Sequence, residues 1–594
     1  MLPAATRWQT RDYLAATFLA LATAATVLHQ NLHLAVLWDL SYTLDTAFRI
    51  ALHQTPYRDF PLVHAPLTFL IQAFIIKLTG RVYWHHALYA ALAGAAATLL
   101  TWRILQRLLQ NHLTAFLLAL PLTVLGNYCI LPFPSYDCDT TLTILLALYA
   151  LQRLTHTGDN PGAPSMPSLL GHGWAATNAR ALLTGAALTL PLFTKQNIGL
   201  PFLLTAIAAI ILLTAINLHH QKPTKPFLLT LTGTLAMLAL ALLTIHLTAG
   251  LHNYLHWTIT FARQRRLPGL ADMLHIYTDP TLLWTLPATA AALTLLYAAS
   301  KTTTKPGAPF MPSHLGHEWV RKLLAPAAYL LLTLPFLHTL LYATPSTDAD
   351  DRAAALITLW PLILILATLQ ALYHLRKPTL THLTPFLILA AINGTLLSQQ
   401  LWGSTYAIWP LFILLLATLL TALPKSSLAL TATIAATLLL TGTLYTLSNE
   451  RLSYAKITQD QAAGPPTTST LPTLRGLTTP GPWLPAFDEL VRYTEQNIPH
   501  QDPILLLPGE DPFYFATGRA PQFPILLFDP ATDPNTPQTL LADAHTHNVH
   551  WLILKRNLQI NADPMPNRDA SIALLQTQFL PYAHLTNYDI YHRP

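Results

Sequence analysis

Five aspartates at the edges of long apolar runs are the residues best suited to chemistry. Asp39, Asp45 and Asp59 follow the first apolar run, and Asp137 and Asp139 precede a later one. A carboxylate at a membrane boundary is costly unless water, a cation or a partner compensates its charge, so these positions indicate function. The D-x-D spacing of Asp137 and Asp139 suits a hard divalent cation or a sugar-phosphate complex. Helix capping is the structural alternative for Asp139 and for Asp39.

A lysine between two apolar runs is the second candidate. Lys195 stands in "LFTKQNIGL", which predicts a short turn at the outer end of a membrane span. A cation outside opposes the usual bias of cations towards the cytoplasm and favours an anionic partner such as a lipid phosphate. Snorkelling to the interface is the alternative. Arg58 and Arg265 are further candidates for the same anion site, with solvation as their alternative.

The elements that must position these residues are membrane helices. Of the 594 residues, 52% are hydrophobic and only 10% are charged, whereas a soluble chain carries about a quarter charged residues. The formal net charge of +6 comes from short basic clusters between apolar runs, which favours positive-inside loops over a nucleic-acid partner. The sequence therefore predicts a multi-pass membrane protein with a cytoplasmic N-terminus. Two cysteines, Cys129 and Cys138, are too few for a disulfide framework, and their pairing stays open.

One apolar segment decides the topology. Residues 66–80 are apolar over about 15 positions, fewer than the ~20 of a membrane span. If this segment is a juxtamembrane helix within a first outer loop at 38–80, every later basic cluster faces the cytoplasm. The pattern then predicts a transmembrane domain at 1–447 with about 13 spans. It also places the C-terminal region on the outer face.

The composition changes after the last apolar run. Residues 448–482 are rich in proline, glycine and threonine and are predicted to be a linker. Beyond it, the apolar cores "PILLL", "PILLF" and "WLILK" alternate with helical patterns, which predicts a small soluble α/β domain at 483–594 with a parallel-type sheet. The repeated segments "PGAPSMPSLLGHGW" and "PGAPFMPSHLGHEW" are interpreted as duplicated loop insertions, with a shared binding role as the alternative.

Three motifs, in one order and on one predicted face, resemble those of the GT-C glycosyltransferases. The first is Asp39 followed by "QTPYRDFPLVHAPLTFLIQAFIIKLTG", similar to the Gly-x-Pro-Tyr-x-Asp segment and juxtamembrane helix of that group, with His53 and Gln54 where glycine is usual and His64 in place of a lysine. The second is Asp137-Cys138-Asp139, similar to the D-x-D of oligosaccharyltransferases. The third is "TKQNIGL", similar to the Lys-Gly-x-x-x-Leu turn of the aminoarabinose and protein-mannosyl transferases, with Gln196 in the glycine place.

The resemblance implies inverting transfer of a sugar from a polyprenyl-phosphate donor at the outer face of a bacterial inner membrane. Asp39 is then the catalytic base, and Lys195 holds the donor phosphate. The expected substrate-binding residues are Lys195, Tyr57, Arg58, Asp59, His64 and Arg265. Asp137 and Asp139 are expected to hold a divalent cation, Mg or Mn, or to support the phosphate. Membrane lipids and an unidentified lipid, glycan or protein acceptor are the remaining partners.

Other functions stay open at this point. They are a lipid or sugar transporter or flippase, a polymerase or ligase of surface polysaccharide, and a non-catalytic scaffold. Acids gathered at one predicted face, rather than in the middle of spans, favour an enzyme over a transporter.

Overall fold

The computed structural model describes residues 8–32, 37–154, 172–265, 271, 274–301, 314–342, 356–396, 407–423, 428–447, 465–528, 535–558 and 566–594. The part before residue 448 is helical. Its helices are α1 (Thr10–Asn31), α2 (Leu37–Ala51), α3 (Leu67–Thr79), α4 (Tyr83–Leu109), α5 (His112–Ala119), α6 (Leu122–Leu125), α7 (Tyr136–Leu154), α8 (His172–Thr194), α9 (Gln196–His219), α10 (Lys225–Thr248), α11 (Leu251–Leu255), a π-helix (His256–Phe261), α12 (Ala262–Arg265), a 3₁₀ turn (His275–Thr278), α13 (Leu282–Lys301), α14 (His314–Tyr342), α15 (Leu359–His374), α16 (Leu380–Leu396), α17 (Trp409–Thr421) and α18 (Leu428–Leu447).

Seven of these helices contain a stretch long and apolar enough to cross a membrane, within the described part of the chain. They are α1, α4, α9, α10, α13, α14 and α18. The predicted multi-pass membrane protein is confirmed in this coarse form. The number of about 13 spans stays a prediction. The helices that would complete it, α5, α7, α8, α15, α16 and α17, are shorter or less apolar.

Small residues let some of these helices cross closely. A Cβ atom added at Gly185 in α8 would lie 2.0 Å from the carbonyl oxygen of Thr230, and one at Gly233 in α10 would lie 2.2 Å from that of Leu182. Only glycine fits at both positions, so the two backbones approach each other directly. This is a packing mode common between helices in lipid, where burial of apolar surface gives little driving force.

The helix α3 lies at one end of the bundle. At its start, Thr68 donates a hydrogen bond to Asp139 in the first turn of α7. Just after its end, Arg81 donates to the carbonyl oxygen of Phe515 in the C-terminal region. The starts of α4 and α7 are neighbours, because Tyr89 donates to the same Asp139. With 13 residues, α3 is about 20 Å long, shorter than the hydrocarbon core of a bilayer.

The C-terminal region contains a four-stranded mixed sheet in the order β3-β4-β6-β5. Strands β3 and β4 are parallel, and the other neighbours are antiparallel, so the predicted parallel-type sheet holds for one pair of strands. The elements are β1 (Pro466–Thr468), a 3₁₀ turn (Pro472–Leu474), β2 (Thr478–Pro480), α19 (Trp483–Asn497), β3 (Ile504–Leu507), α20 (Phe513–Thr517), α21 (Pro537–Thr546), β4 (Trp551–Lys555), α22 (Pro566–Gln576), β5 (Leu580–His584) and β6 (Tyr588–His592).

Residues 38–80 and the C-terminal region share one hydrophobic core. Leu44 and Phe48 of α2 and Ile76 of α3 pack in the same cluster as Phe487 and Ile553. The side chain of Asp45 crosses this boundary and accepts hydrogen bonds from the backbone N–H groups of Phe515, at 2.7 Å, and Tyr514, at 3.4 Å. The C-terminal region is therefore docked on α2 and α3 by burial and by hydrogen bonds to the backbone of α20.

Several sequence predictions differ from the structure. The segment "PILLF" forms no strand but runs past the end of β3, where Phe528 N donates to Pro508 O at 2.9 Å. The described part of the predicted linker, from residue 465, is folded, because Leu474 and Leu477 are fully buried in the shared core. Most of each repeated segment lies outside the described residues, while their last residues begin α8 and α14. Cys129 and Cys138 are buried free thiols.

Asp45 makes the docking of the C-terminal region sensitive to pH. Burial raises the pKa of Asp45 to about 8, so the folded protein holds a proton that the unfolded chain releases above 3.8. The stability contributed by this proton is complete below pH 3.8 and is lost as the pH rises through about 8. We expect the wild-type melting temperature to fall relative to that of Asp45→Asn over this range, in detergent solution. Parallel melting curves at all pH values would contradict the assignment.

Candidate active site

The residue at the centre of the site joins two helices. Lys195 is the single residue between α8 and α9 and has an extended backbone. Its N–H donates to Pro191 O at 3.0 Å, and its carbonyl accepts from Gly199 N at 2.9 Å, so both helices continue to the junction. Its side chain is buried. The structure thus has the predicted turn at Lys195, and the ammonium lies at the positive N-terminal end of the 24-residue α9.

Asp137 is the counterion of Lys195. The ammonium donates a short hydrogen bond to Asp137 Oδ1, and the two side chains are 4% and 3% exposed. Ser135 caps the start of α7, since its Oγ accepts from the N–H of Asp137 at 3.3 Å, and this directs Asp137 towards the α8–α9 junction. A buried ion pair is stable only when both charges remain together, which fixes the relative positions of α7 and α9.

The carboxylate of Asp139 has different partners from that of Asp137. Its carboxylate accepts hydrogen bonds from the hydroxyls of Tyr128, of Tyr89 at 2.7 Å and of Thr68 at 2.8 Å. Positions two apart on a helix diverge by about 200° around its axis, so Asp137 and Asp139 face different partners. The described residues contain no group of three or more His, Cys, Asp or Glu side chains that could hold a metal ion. This arrangement does not offer the two carboxylates to one shared cation.

Aromatic rings connect the ion pair to the segment between α2 and α3. The ring of Tyr136 lies 5.2 Å from Lys195 Nζ, in the geometry of a cation–π contact. His64 stacks on Tyr136 with ring centroids 4.1 Å apart, and the Tyr42 hydroxyl lies 3.3 Å from His64 Nδ1. The hydroxyl of Tyr57 donates to the carbonyl oxygen of His64 at 2.8 Å. The structure therefore brings the predicted residues His64, Tyr57, Lys195 and Asp137 into one connected cluster.

Gln196, which stands in the glycine place of the third motif, holds the same loop segment. Its Nε2 donates to Val63 O at 2.9 Å and to Thr258 O in the π-helix at 3.2 Å. Its Oε1 accepts from the N–H of Ala65 at 3.2 Å. A glycine would provide none of these hydrogen bonds. Gln196 thus attaches the backbone on both sides of His64 to the start of α9.

Asp39 lies on the face of α2 that continues into a pocket. It is in the first turn of α2, half-buried, and Tyr42, Thr46 and Arg49 follow it on the same side of the helix. A pocket lies between these three residues, the loop that contains Phe60, Pro61 and Val63, and residues 524–527 of the C-terminal region. The Arg49 guanidinium is buried there, donates to Gln54 Oε1 and Pro524 O, and covers the Phe60 ring at 4.4 Å.

Two further predicted residues, Arg58 and Asp59, lie at the edge of the candidate site. Arg58 and Asp59 form an ion pair at 2.8 Å on the surface, with side chains 54% and 33% exposed. The hydrogen bond from Arg58 lowers the pKa of Asp59, which also accepts from the N–H of Thr55. These contacts shape the loop between α2 and α3. The side chain of Arg265 lies outside the described residues.

Sequence reasoning missed the residues that hold the carboxylates in place. Tyr89, Tyr128 and Thr68 come from three different segments and meet at Asp139, to which each donates a hydrogen bond. The sequence offered a signal for Tyr136 and Gln196, because Tyr136 precedes Asp137 and Gln196 follows Lys195. No signal in the sequence linked Arg49 to residues 524–527, nearly the whole chain away.

Comparison with known proteins gives a match in structure. No protein-family model and no curated protein matches the chain. An oligosaccharyltransferase from Archaeoglobus fulgidus in the apo form is 12% identical with a TM-score of 0.50, covering 98% of this chain and 74% of that chain. The same enzyme in complex with Zn and sulfate is 13% identical with a TM-score of 0.47, covering 91% and 68%.

A third solved structure covers both chains almost completely. ArnT from Cupriavidus metallidurans bound to undecaprenyl phosphate is 12% identical with a TM-score of 0.46, and the match covers 98% of each chain. At these identities the likeness to the apo oligosaccharyltransferase shows a shared fold. The resemblance to GT-C glycosyltransferases is thereby confirmed at the level of the fold.

The buried pair of Asp137 and Lys195 predicts strong coupling in a double-mutant cycle. Asp137→Asn or Lys195→Met alone leaves one buried charge without its partner, at a cost of roughly 3–5 kcal/mol. The double variant leaves none, so we expect it to recover most of the lost thermal stability. Melting temperatures of the four proteins in one detergent test this. Additive losses in the double variant would show that the two side chains do not compensate each other.

Proposed function

We propose that this protein is a glycosyltransferase that moves a sugar from a polyprenyl-phosphate donor to an acceptor, on the membrane face that carries the C-terminal domain (483–594). The observation that carries the proposal is the buried Asp137–Lys195 pair beneath Tyr136 and His64. A fold shared with an oligosaccharyltransferase over nearly the whole chain supports it. The ArnT structure contains undecaprenyl phosphate, which is the donor carrier that we propose here.

The donor phosphate would bind at the α8–α9 junction. Lys195 gives one of its three N–H donors to Asp137, and the others are available to a phosphate oxygen. The start of α9 adds the positive end of a helix dipole. One turn further, Leu200, Leu204 and Ile211 form an exposed apolar stripe along α9, which gives the prenyl chain a path in the bilayer.

The acceptor would approach along α2. Its hydroxyl or amine loses a proton to Asp39 while its oxygen or nitrogen attacks the anomeric carbon from the side opposite the phosphate. The bond between that carbon and the phosphate oxygen breaks, and its electron pair stays on the phosphate. Lys195 stabilises the negative charge that develops there. One displacement of this kind inverts the anomeric configuration. The pocket beside Arg49 adjoins this path and is our candidate for the acceptor site.

The predicted Mg or Mn does not fit between the carboxylates of the D-x-D motif. Lys195 compensates the charge of Asp137, and three hydroxyls donate hydrogen bonds to Asp139. Of the two roles that the sequence left open for this motif, support of the donor phosphate through Lys195 matches these contacts. A cation would supply charge stabilisation for the leaving phosphate, and we assign no step to it.

Substitution of Asp39 tests whether its carboxylate is the base in the transfer step. Asp39→Asn removes the base but keeps the shape of the side chain, so we expect sugar transfer from a radiolabelled polyprenyl-phosphate donor in detergent to fall at least ~100-fold. The matched control is Asp569→Asn, which changes a surface carboxylate that is 57% exposed in α22. Equal activity of the two variants would remove Asp39 from the mechanism. Because detergent abolishes any gradient, transfer in this assay also separates an enzyme from a transporter.

A further inference from the structure

A second pocket lies at the opposite end of the bundle from the candidate active site. It lies between the ends of α4 and α7, the start of α16 and the middle of α17. Arg107 of α4 lines it, 24 residues after Tyr83, which packs in the core shared with the C-terminal region. At 1.5 Å per residue the two positions are about 36 Å apart, more than the thickness of the hydrocarbon core.

One guanidinium nitrogen at this pocket is unsatisfied. Arg107 Nη1 is buried and has no hydrogen-bond partner among the described residues. The rest of the group is held in place, because Nη2 lies 3.5 Å from the Tyr149 hydroxyl and Cζ lies 4.5 Å from the centre of the Tyr149 ring. A buried charged donor without an acceptor costs free energy, and native proteins rarely leave one. The arrangement therefore calls for an acceptor that no described residue supplies to Arg107 Nη1 in this structure.

The surroundings of Arg107 are positive. Arg153 lies over the same Tyr149 ring at 5.9 Å, and Arg103 lies over the Trp8 ring at 4.7 Å. Among the described residues, none of these three arginines has a carboxylate within ion-pair distance. The nearby carboxylate of Asp12 is already bonded to His112 at 2.9 Å and Gln106 at 3.2 Å. Within the described ranges, an anion would therefore find attraction here without competition from a carboxylate that is free of other partners.

The N-terminal end of α16 adds positive potential to the same pocket. The 17-residue α16 begins at Leu380, and Leu380, Thr381 and Thr384 line the pocket, so the positive end of the helix dipole faces it. The other lining side chains are mainly apolar, among them Ile104, Leu108, Ile388 and Leu414. The site therefore combines a cationic corner with walls that suit hydrocarbon.

We propose that this pocket binds a phosphate group between Arg107 and the start of α16, with an acyl chain against its apolar walls. The ligand class is an anionic phospholipid of the leaflet opposite the candidate active site. A free phosphate shares the same chemistry at Arg107 but makes no use of the apolar walls. Basic pockets between helices at a membrane face bind lipid headgroups in this way. The site is separate from Lys195, and the proposal does not depend on the transferase activity.

Lipid binding to the purified full-length protein tests the proposal. Native mass spectrometry with added phosphatidylglycerol, phosphatidylcholine or inorganic phosphate measures occupancy, and we expect phosphatidylglycerol to bind best. Arg107→Gln should weaken phosphatidylglycerol about tenfold, the effect of losing one charge-assisted hydrogen bond. Arg376→Gln, which removes an exposed arginine outside the pocket, is the charge-matched control and should bind as the wild type does.

A second variant covers the case in which Arg107→Gln does not fold. Thr381 is exposed at the pocket, so Thr381→Phe should obstruct it without touching Arg107, and we expect the same loss of phosphatidylglycerol. Displacement of the lipid by equimolar inorganic phosphate would assign the site to the free anion and overturn the lipid assignment. Equal binding of the two lipids, or unchanged binding in both pocket variants, would overturn the site itself.

Discussion

The buried ion pair between Asp137 and Lys195 is the interaction on which the candidate active site depends. It joins the start of α7 to the junction of α8 and α9, and it holds the ammonium under the ring of Tyr136. Neither charge is stable there without the other. The same pair that stabilises the bundle therefore holds a buried ammonium beneath the stacked rings of Tyr136 and His64.

The second constraint is the docking of the C-terminal region on α2 and α3. Asp45 and Arg81 bond to the backbone of residues 514–516, and the apolar side chains of α2 and α3 enter the same core as the sheet. As a result α2 is held between the helical bundle and the sheet. This fixes the face of α2 that carries Asp39 and Tyr42 and creates the pocket at Arg49. The C-terminal region therefore holds α2 in position as well as covering the site.

Features that depend on a single stretch of chain could be predicted from the sequence. The 66–80 segment forms the short helix α3, as its length indicated, and its juxtamembrane position stays a prediction. The isolated charge of Lys195 between apolar runs indicated the turn between α8 and α9. The split of Asp137 and Asp139 was not predicted, because the D-x-D spacing indicated one shared ligand for both carboxylates, whereas the structure begins α7 at Tyr136 and so turns the two side chains apart. The partners of Asp139 and the contact of Arg49 with Pro524 join distant segments, and no local pattern encodes such contacts.

The most direct test of the central claim is a cryo-EM structure of the full-length protein with a non-hydrolysable polyprenyl-phosphate sugar analogue. We expect the phosphate within hydrogen-bond distance, about 3 Å, of Lys195 Nζ, with the prenyl chain along Leu200 and Leu204 and the sugar directed towards Asp39. A phosphate bound away from the α8–α9 junction, with the Asp137–Lys195 pair closed and remote from the ligand, would contradict the account.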